Sequence, residues 1–305
     1  MKLVSAWLRK HALFQFLFFV LLTILFFVIL LHFVDARLVL KTLSQANPLY
    51  VFCAFLIVFS YPTFIAWRWQ FLLKNLGYGL PFWECLRIVL GTWPIMSVTP
   101  LKSGDLLKGF YIKDKVPVVT ATGSIMTEKI LDLSSLIVLS IIGSLELGQY
   151  QVLPITLGIL GCLVIAPLVL RFAKLPLTDT FKAKLDSLLL SIRSLVKKPR
   201  QLVFIFLFSI VKWILVIGQA ALCFLAFGVS VPFSYVIAAL PIAIFVGLLP
   251  ISISGMGTRD AAIMYLFSQY APPDVCLSVG LLYSFFGYWL LSLIGLPFLN
   301  ANWRR

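Results

Sequence analysis

Charged residues are scarce in this chain, and their scarcity excludes an ordinary water-soluble fold. Only 12% of the 305 residues are charged and 61% are hydrophobic, whereas soluble domains average about 25% charged and about 45–50% apolar residues. Histidine occurs twice, and the five cysteines form no CxxC pair, so we expect neither a histidine-based metal site nor a disulfide framework. A Walker-type phosphate motif is also missing. We therefore predict an integral membrane protein with no metal and no cofactor.

The charge that is present is mostly positive, with 25 Lys and Arg against 11 Asp and Glu and a formal net charge of +14. These basic residues lie between hydrophobic blocks rather than in one cluster, which argues against nucleic-acid binding. They fit the excess of Lys and Arg in the cytoplasmic loops of membrane proteins. We predict a single integral domain over residues 1–305 in the plasma membrane. Both termini are expected in the cytoplasm, and anionic or phosphate-bearing lipids are the expected partners.

Long uncharged windows predict an all-α, polytopic transmembrane helix bundle, because crossing the hydrocarbon layer takes about 20 apolar residues. Six spans are predicted, at 12–34, 49–67, 118–145, 149–170, 201–227 and 275–299. The second span ends in Trp67, Arg68 and Trp69, a group expected at a membrane–water interface. Over residues 174–200 we predict an amphipathic helix on the cytoplasmic leaflet, with a solvated linker helix as the alternative.

Two further hydrophobic segments, 82–101 and 234–270, are interrupted by Pro, Gly and Ser around a charged group. If 82–101 crossed completely, the four lysines between 102 and 115 would lie outside, against the charge rule. We therefore predict two re-entrant hairpins that enter from opposite faces, with eight full spans as the alternative. The segments share a G-x-x-P-I pattern, beginning at Gly91 and Gly247, which makes them candidates for an inverted repeat.

The interruptions are the expected binding elements, because lipid cannot satisfy the backbone groups that a broken helix frees. Helices that begin after Gly104 or Gly257 would direct their positive ends and amides at a phosphate or sugar headgroup. The predicted substrate-binding residues are Gly104, Lys108, Ser254, Gly255, Gly257 and Arg259.

Ionisable residues inside apolar segments are costly and need partners. They predict a polar centre, or a site for ion coupling, formed by Asp105, Glu128, Lys129, Asp132, Lys212 and Asp260. On a helix Glu128 and Asp132 share one face and would repel each other unless a cation or a proton lay between them. Arg259 or Lys212 is expected to supply that cation. A structural salt-bridge network between helices is the alternative reading.

The ordered motifs resemble a known family. They are Arg68-Trp69 with Leu72, Leu73 and Gly77, Pro100 with Gly104-Asp105, Glu128-Lys129 with Asp132, and Pro250-Ile251-Ser252 with Gly255, Gly257 and Arg259-Asp260. This set is similar to the lysylphosphatidylglycerol synthase transmembrane-region family of flippase-like membrane proteins, from about residue 10 to residue 299. The resemblance implies lipid translocation.

The chain departs from the family pattern at Lys129 and Asp260, where Arg and Glu are common. Both departures keep the charge, so the polar centre is expected to survive, with bidentate phosphate binding left to Arg259. Members of this family resemble the membrane half of the bacterial multiple peptide resistance factor, which also has a soluble aminoacyl-transfer domain. That domain is not recognisable in this sequence. We therefore do not expect this chain to synthesise lysylphosphatidylglycerol.

Three functions remain open on this basis, and we favour a transporter over an enzyme. The first is translocation of a phospholipid or lipid-linked sugar between leaflets, with a phosphate held by Lys108 and Arg259. The second is intramembrane glycosyl transfer from a polyprenyl phosphate, with Asp105, Glu128 and Asp132 as ligands of a divalent metal. The third is a noncatalytic scaffold for envelope-biosynthesis enzymes, docked through residues 174–200.

Overall fold

The fold was analysed in a computed structural model that describes residues 20–32, 34–146, 198–249 and 251–303, with single positions at 154, 157 and 158. Within these ranges the chain forms helices and no β-strand, which confirms the predicted all-α class. Two predicted elements, the span at 149–170 and the amphipathic helix at 174–200, lie essentially outside the described residues. Pro250 of the second hairpin also lies outside them.

The described helices follow one another in short steps. They are α1 Val20–His32, α2 Ala36–Ser44, α3 Pro48–Val58, α4 Ser60–Asn75, α5 Phe82–Val98, α6 Leu107–Tyr111, α7 Val118–Glu146, α8 Pro199–Ala226, α9 Phe233–Leu248, α10 Thr258–Leu266, α11 Pro273–Ser284 and α12 Leu291–Trp303. Short 3₁₀ turns at Pro100–Leu106 and Ile253–Gly255 interrupt the hairpins, and a π-helical turn at Phe285–Leu290 joins α11 to α12.

Three helical stretches are long and apolar enough to cross a membrane: Pro48–Asn75, Pro199–Ala226 and Pro273–Leu299. The helices α1 and α2 would together form a fourth if they are one broken span, although they are bent by 88°. Helix α7 has 29 residues, but it carries Glu128, Lys129 and Asp132 in its interior. The bundle is therefore that of a polytopic helical membrane protein. The total of six spans stays a prediction.

The second predicted span is longer than expected and corrects one interpretation. Its helix runs on to Asn75, so Arg68 and Trp69 lie inside the bundle, where both are buried. Trp67 alone of this group keeps substantial exposure, at 42%. The interface assignment was therefore wrong for Arg68 and Trp69, because the sequence pattern did not show which helical face meets the protein.

The segment 82–101 folds back on itself, as predicted for a re-entrant hairpin. Helix α5 is followed by the 3₁₀ turn and by α6, and Lys115 then reaches Glu84 near the start of α5, with Nζ and Oε1 2.7 Å apart. The turn is tight at Gly104, where a Cβ would lie 2.7 Å from the backbone nitrogen of Met96. The chain therefore returns to the end from which it started.

The segment 234–270 closes in the same way. Tyr235, near the start of α9, donates its hydroxyl to the carbonyl of Leu266 at the end of α10. The rings of Tyr235 and Tyr270 also lie 4.6 Å apart. The face of the membrane from which each hairpin enters stays a prediction, but both reversals are features of the fold.

The tips of the two hairpins meet inside the bundle. The hydroxyl of Ser254, in the second tip, donates to the carbonyl of Ser97 in the first, at 2.5 Å. Helix α1 packs over the second tip, where the hydroxyl of Thr23 accepts a hydrogen bond from the amide of Ile253. This meeting of interrupted helices brings the polar side chains of the hairpins close to α4, α7 and α8.

Candidate functional site

A chain of charged side chains of alternating sign crosses the centre of the bundle. Hairpin one, residues 82–115 with its return to Glu84, contributes two members, α7 three, and α4 and α8 one each. In order of contact, this charge chain consists of Lys129, Asp105, Lys108, Glu128, Arg68, Asp132 and Lys212. Ionisable groups inside a membrane are costly unless they are paired, and each member of the charge chain has an oppositely charged partner.

The first half of the charge chain connects hairpin one to α7. Asp105 lies between two lysines, with its carboxylate oxygens 2.5 Å from Lys129 Nζ and 2.7 Å from Lys108 Nζ. Lys108 Nζ also lies 3.2 Å from Glu128 Oε2, and it is 5.6 Å from the ring centroid of Trp69. Lys108 is buried and already faces two carboxylates, so a phosphate would have to displace one of them.

The second half of the charge chain is organised by Arg68. Its Nε lies 3.2 Å from Glu128 Oε1, and its Nη1 lies 2.5 Å from Asp132 Oδ1 and 2.7 Å from the hydroxyl of Ser209. Lys212 Nζ shares Asp132 Oδ1 at 2.5 Å. Arg68 therefore supplies the cation between Glu128 and Asp132. We expected Arg259 or Lys212 there, and of these only Lys212 contacts one of the two carboxylates.

Arg259 belongs to a separate polar cluster behind the second hairpin tip. It is 1% exposed, and its Nη2 donates to Asp260 at 3.2 Å and to the hydroxyl of Ser284 at 2.5 Å. Its guanidinium carbon lies 4.6 Å and 5.4 Å from the ring centroids of Tyr283 and Tyr288. Its Nε finds no hydrogen-bond partner among the described residues. Arg259 is thus held between an acid and two aromatic rings.

The predicted glycines serve backbone packing. Gly255 has φ +74°, and a Cβ there would lie 2.5 Å from the carbonyl oxygen of Gly247. Gly257 has φ +88°, and a Cβ there would lie 2.7 Å from that of Phe26. The amide of Gly257 donates to Asp260 Oδ2 at 2.9 Å, so a side chain of the protein already caps the helix end predicted to face a headgroup.

A cavity of about 250 Å³ opens between hairpin one, α9 and helices α4, α7, α8 and α11. One part of its wall is charged and holds Lys102, Lys129, Asp132 and Lys212. The remainder is aromatic and aliphatic, with Tyr61, Ile65, Trp93, Met96, Leu133, Leu136, Trp213, Val216, Ile244, Leu248, Tyr283 and Tyr288, together with Gln219 and Gly287. A concave space with a mainly apolar wall and a few polar groups is typical of a ligand site.

The predicted site residues divide into three groups around this cavity. Lys129, Asp132 and Lys212 line it. Asp105, Lys108 and Glu128 line an adjoining pocket of about 30 Å³, together with Lys129 and Asp132. The six from the second hairpin and the first turn line neither space: Gly104, Ser254, Gly255, Gly257, Arg259 and Asp260.

Several cavity residues were missed by sequence reasoning. Lys102 lies at the tip of hairpin one with φ +55°, and its Nζ is 4.8 Å from the ring centroid of Tyr288. Tyr61 donates its hydroxyl to Gln219 across the cavity wall. The sequence marks these residues only by their polarity. Gln219 is an uncharged polar residue within a predicted span, and Lys102 directly follows an apolar segment.

No group of three or more His, Cys, Asp or Glu residues that could hold a metal ion is found in the part of the chain that the structure describes. The three carboxylates considered as metal ligands, Asp105, Glu128 and Asp132, each contact lysine or arginine instead. A divalent cation at this position would have to displace those basic side chains.

Comparison with known proteins matches residues 14–295 to the model of the family described as the lysylphosphatidylglycerol synthase TM region. The chain belongs to this family. A UPF0104 membrane protein of Methanocaldococcus jannaschii is 24% identical over 306 aligned residues, covering 90% of this chain and 91% of the relative. A UPF0104 membrane protein of Archaeoglobus fulgidus is 23% identical over 286 residues, covering 84% and 87%. This match confirms the family resemblance that the sequence motifs had suggested.

Proposed function

We propose that this protein moves a phosphate-bearing lipid, either a phospholipid or a lipid-linked sugar, between the two leaflets of the plasma membrane. The observation that carries the proposal is the cavity beside hairpin one and α9, because it combines a cationic wall with an apolar one. Lys102, Lys129 and Lys212 would face the headgroup. The aromatic and aliphatic wall would exclude bulk water while the headgroup crosses the membrane interior.

The architecture around the cavity supports this proposal. Two hairpins that reverse inside a membrane bundle leave a non-helical backbone there, and such a backbone is tolerated where it packs against protein or lines a water-filled space. Transporters with interrupted helices bind their substrates at such interruptions. The family description names a region of a lipid-synthesising protein, which agrees with a lipid substrate.

The charge chain has a supporting part in this proposal. It connects α4, α7, α8 and hairpin one, so it fixes the relative positions of four elements that line the cavity. Lys108 and Arg259 do not line the cavity. In this proposal the phosphate is therefore bound by Lys102, Lys129 and Lys212, which do. We retain a cytoplasmic location of both termini as part of the proposal.

Leaflet exchange in reconstituted vesicles tests the proposal. Purified protein is expected to accelerate the movement of a fluorescent phosphatidic acid, measured by dithionite quenching, relative to protein-free vesicles. Leu133→Trp would fill the cavity that Leu133 lines and is expected to abolish the acceleration. The matched control is Leu145→Trp, on the same helix at a position that is 58% exposed, and it should exchange lipid like the wild type.

Two results would refute the proposal. The first is an exchange rate equal to that of protein-free vesicles for the folded wild-type protein. The second is equal exchange by the two tryptophan variants, because the cavity would then not be the route. Circular dichroism and gel filtration of each variant separate a blocked cavity from a misfolded chain.

A further inference from the structure

We propose that Lys102, Lys129 and Lys212 form a binding site selective for a phosphomonoester headgroup, such as that of phosphatidic acid or a polyprenyl phosphate. This inference rests on the proposed function for its lipid source, but it makes a separate claim about charge. The three side chains reach one cavity from hairpin one, α7 and α8. A ligand between them would therefore contact three independent elements.

The charge balance of the polar centre leaves a deficit of negative charge. The charge chain contains four basic and three acidic side chains. Lys102 adds one more positive charge, and it has no carboxylate partner among the described residues; its contact is with the ring of Tyr288. Arg259 and Asp260 balance each other. The surplus is two positive charges, which a phosphomonoester dianion would neutralise, since its second pKa is about 6.

The surplus positive charge lies at the cavity because the two ends of the charge chain line that cavity. Its terminal members are Lys129 and Lys212, and each of them contacts a single carboxylate. Every interior member contacts at least two opposite charges. The side chain of Lys129 also keeps 39% exposure. Within the charge chain, the two lysines with the least compensated charge are therefore the two that line the cavity.

The backbone at Lys102 points to the same use. A lysine at φ +55° lies in the left-handed region that non-glycine residues seldom occupy, and such strain concentrates at ligand sites and switch regions. At this position the side chain lies beside Tyr288 in the cavity wall. The left-handed conformation thus places the Lys102 side chain in the wall of the cavity that the other two lysines also line.

The same charges disfavour other headgroups. A zwitterionic phosphatidylcholine would leave the surplus uncompensated. A lysyl-phosphatidylglycerol headgroup carries one phosphate charge and two amines, so it would add positive charge to a cavity that already has an excess. We therefore infer that this family member takes an anionic lipid in preference to an aminoacylated one.

Isothermal titration calorimetry of the purified full chain in neutral detergent at pH 8 tests the inference. The ligands are dihexanoyl forms of phosphatidic acid, phosphatidylglycerol, phosphatidylcholine and lysyl-phosphatidylglycerol. Glycerol 3-phosphate and inorganic phosphate are titrated as soluble phosphates without a lipid tail. We expect phosphatidic acid to bind at least about tenfold tighter than phosphatidylglycerol, a difference of about 1.4 kcal/mol. The zwitterionic and cationic lipids should bind more weakly still.

Charge-removing variants link that preference to the three lysines. Lys212→Gln leaves Asp132 paired with Arg68, and Lys102→Asn supplies a residue that tolerates positive φ, so both should fold. Each is expected to weaken phosphatidic acid binding about tenfold and to reduce its advantage over phosphatidylglycerol. The matched control is Lys115→Gln, which removes a lysine from the same hairpin, at an exposed pair with Glu84 outside the cavity. It should bind like the wild type.

The outcomes separate this inference from the proposed function. Charge-selective binding without leaflet exchange supports the anion site and refutes translocation. Leaflet exchange with equal affinity for all four lipids refutes the anion site and leaves translocation standing. Equal binding of phosphatidic acid and glycerol 3-phosphate supports the phosphomonoester site and assigns it to a soluble phosphate. Loss of affinity in Lys115→Gln equal to that in Lys212→Gln overturns the assignment to the cavity.

Discussion

Replacing Arg68 by methionine tests whether the charge chain stabilises the bundle. Arg68 is 3% exposed and contacts Glu128, Asp132 and Ser209. Removing one partner of a buried ion pair costs about 3–5 kcal/mol, because the remaining charge is left without compensation. Here Glu128 keeps Lys108 and Asp132 keeps Lys212. We therefore expect the lower end, about 3 kcal/mol of unfolding free energy.

The measurement is an SDS unfolding titration in mixed micelles, followed by circular dichroism. Lys115→Met is the control, because it removes a basic side chain that is 54% exposed and bridges to Glu84. Exposed ion pairs contribute only about 0–1 kcal/mol. The two variants thus remove the same charge from sites that differ in burial.

A double variant sharpens this test. Adding Glu128→Gln to Arg68→Met leaves Asp105 with its two lysines and Asp132 with Lys212, and the net charge of the charge chain is unchanged. The double variant should therefore lose less stability than the sum of the single variants, by about 1 kcal/mol or more. Strict additivity, or an Arg68→Met cost no greater than that of Lys115→Met, would refute the reasoning.

Two further predictions concern the hairpins. Gly255→Ala should cost at least twice as much unfolding free energy as Gly228→Ala, which carries only the left-handed penalty of about 1–2 kcal/mol. The two positions have φ of +74° and +75°, but only at Gly255 would a Cβ collide with backbone, 2.5 Å from the oxygen of Gly247. Equal losses of unfolding free energy for the two variants in SDS titrations would contradict this. In a cysteine-free background, Lys115→Cys and Ser268→Cys should react with an impermeant maleimide from opposite sides of the membrane, and labelling from one side would disprove the inverted hairpins.

Local patterns were sufficient for the class of protein and for the hairpins. Runs of apolar residues predict membrane helices because the thickness of the bilayer sets their length. The reversals near Gly104 and Gly255 were predictable because Pro, Gly and Ser are clustered there around a charged group, and such clusters favour a break in a helix. Single prolines such as Pro94 and Pro241 remain inside helices. The charges in the interior of α7 and α8, Glu128, Lys129, Asp132 and Lys212, were singled out because charges in apolar windows need partners.

Pairing between those charges was not predictable. Arg68 was assigned to a membrane interface, yet it lies between Glu128 and Asp132. Of the two residues expected there, Arg259 faces Asp260 instead, and Lys212 contacts Asp132 but not Glu128. A one-residue step turns a side chain by about 100° around a helix, so the partner of each charge depends on how the helices pack against one another. The sequence pattern does not show how each helix is rotated relative to its neighbours.

A helical membrane protein with two interrupted segments and a small set of costly charges could be predicted from the amino-acid sequence alone. Those properties follow from composition and spacing along the chain. Only the tertiary structure decided that the glycines serve backbone contact and that Lys102 joins Lys129 and Lys212 at one cavity. The reason is physical: cavities and ion pairs form between elements distant in sequence, and their geometry exists only once those elements are packed together.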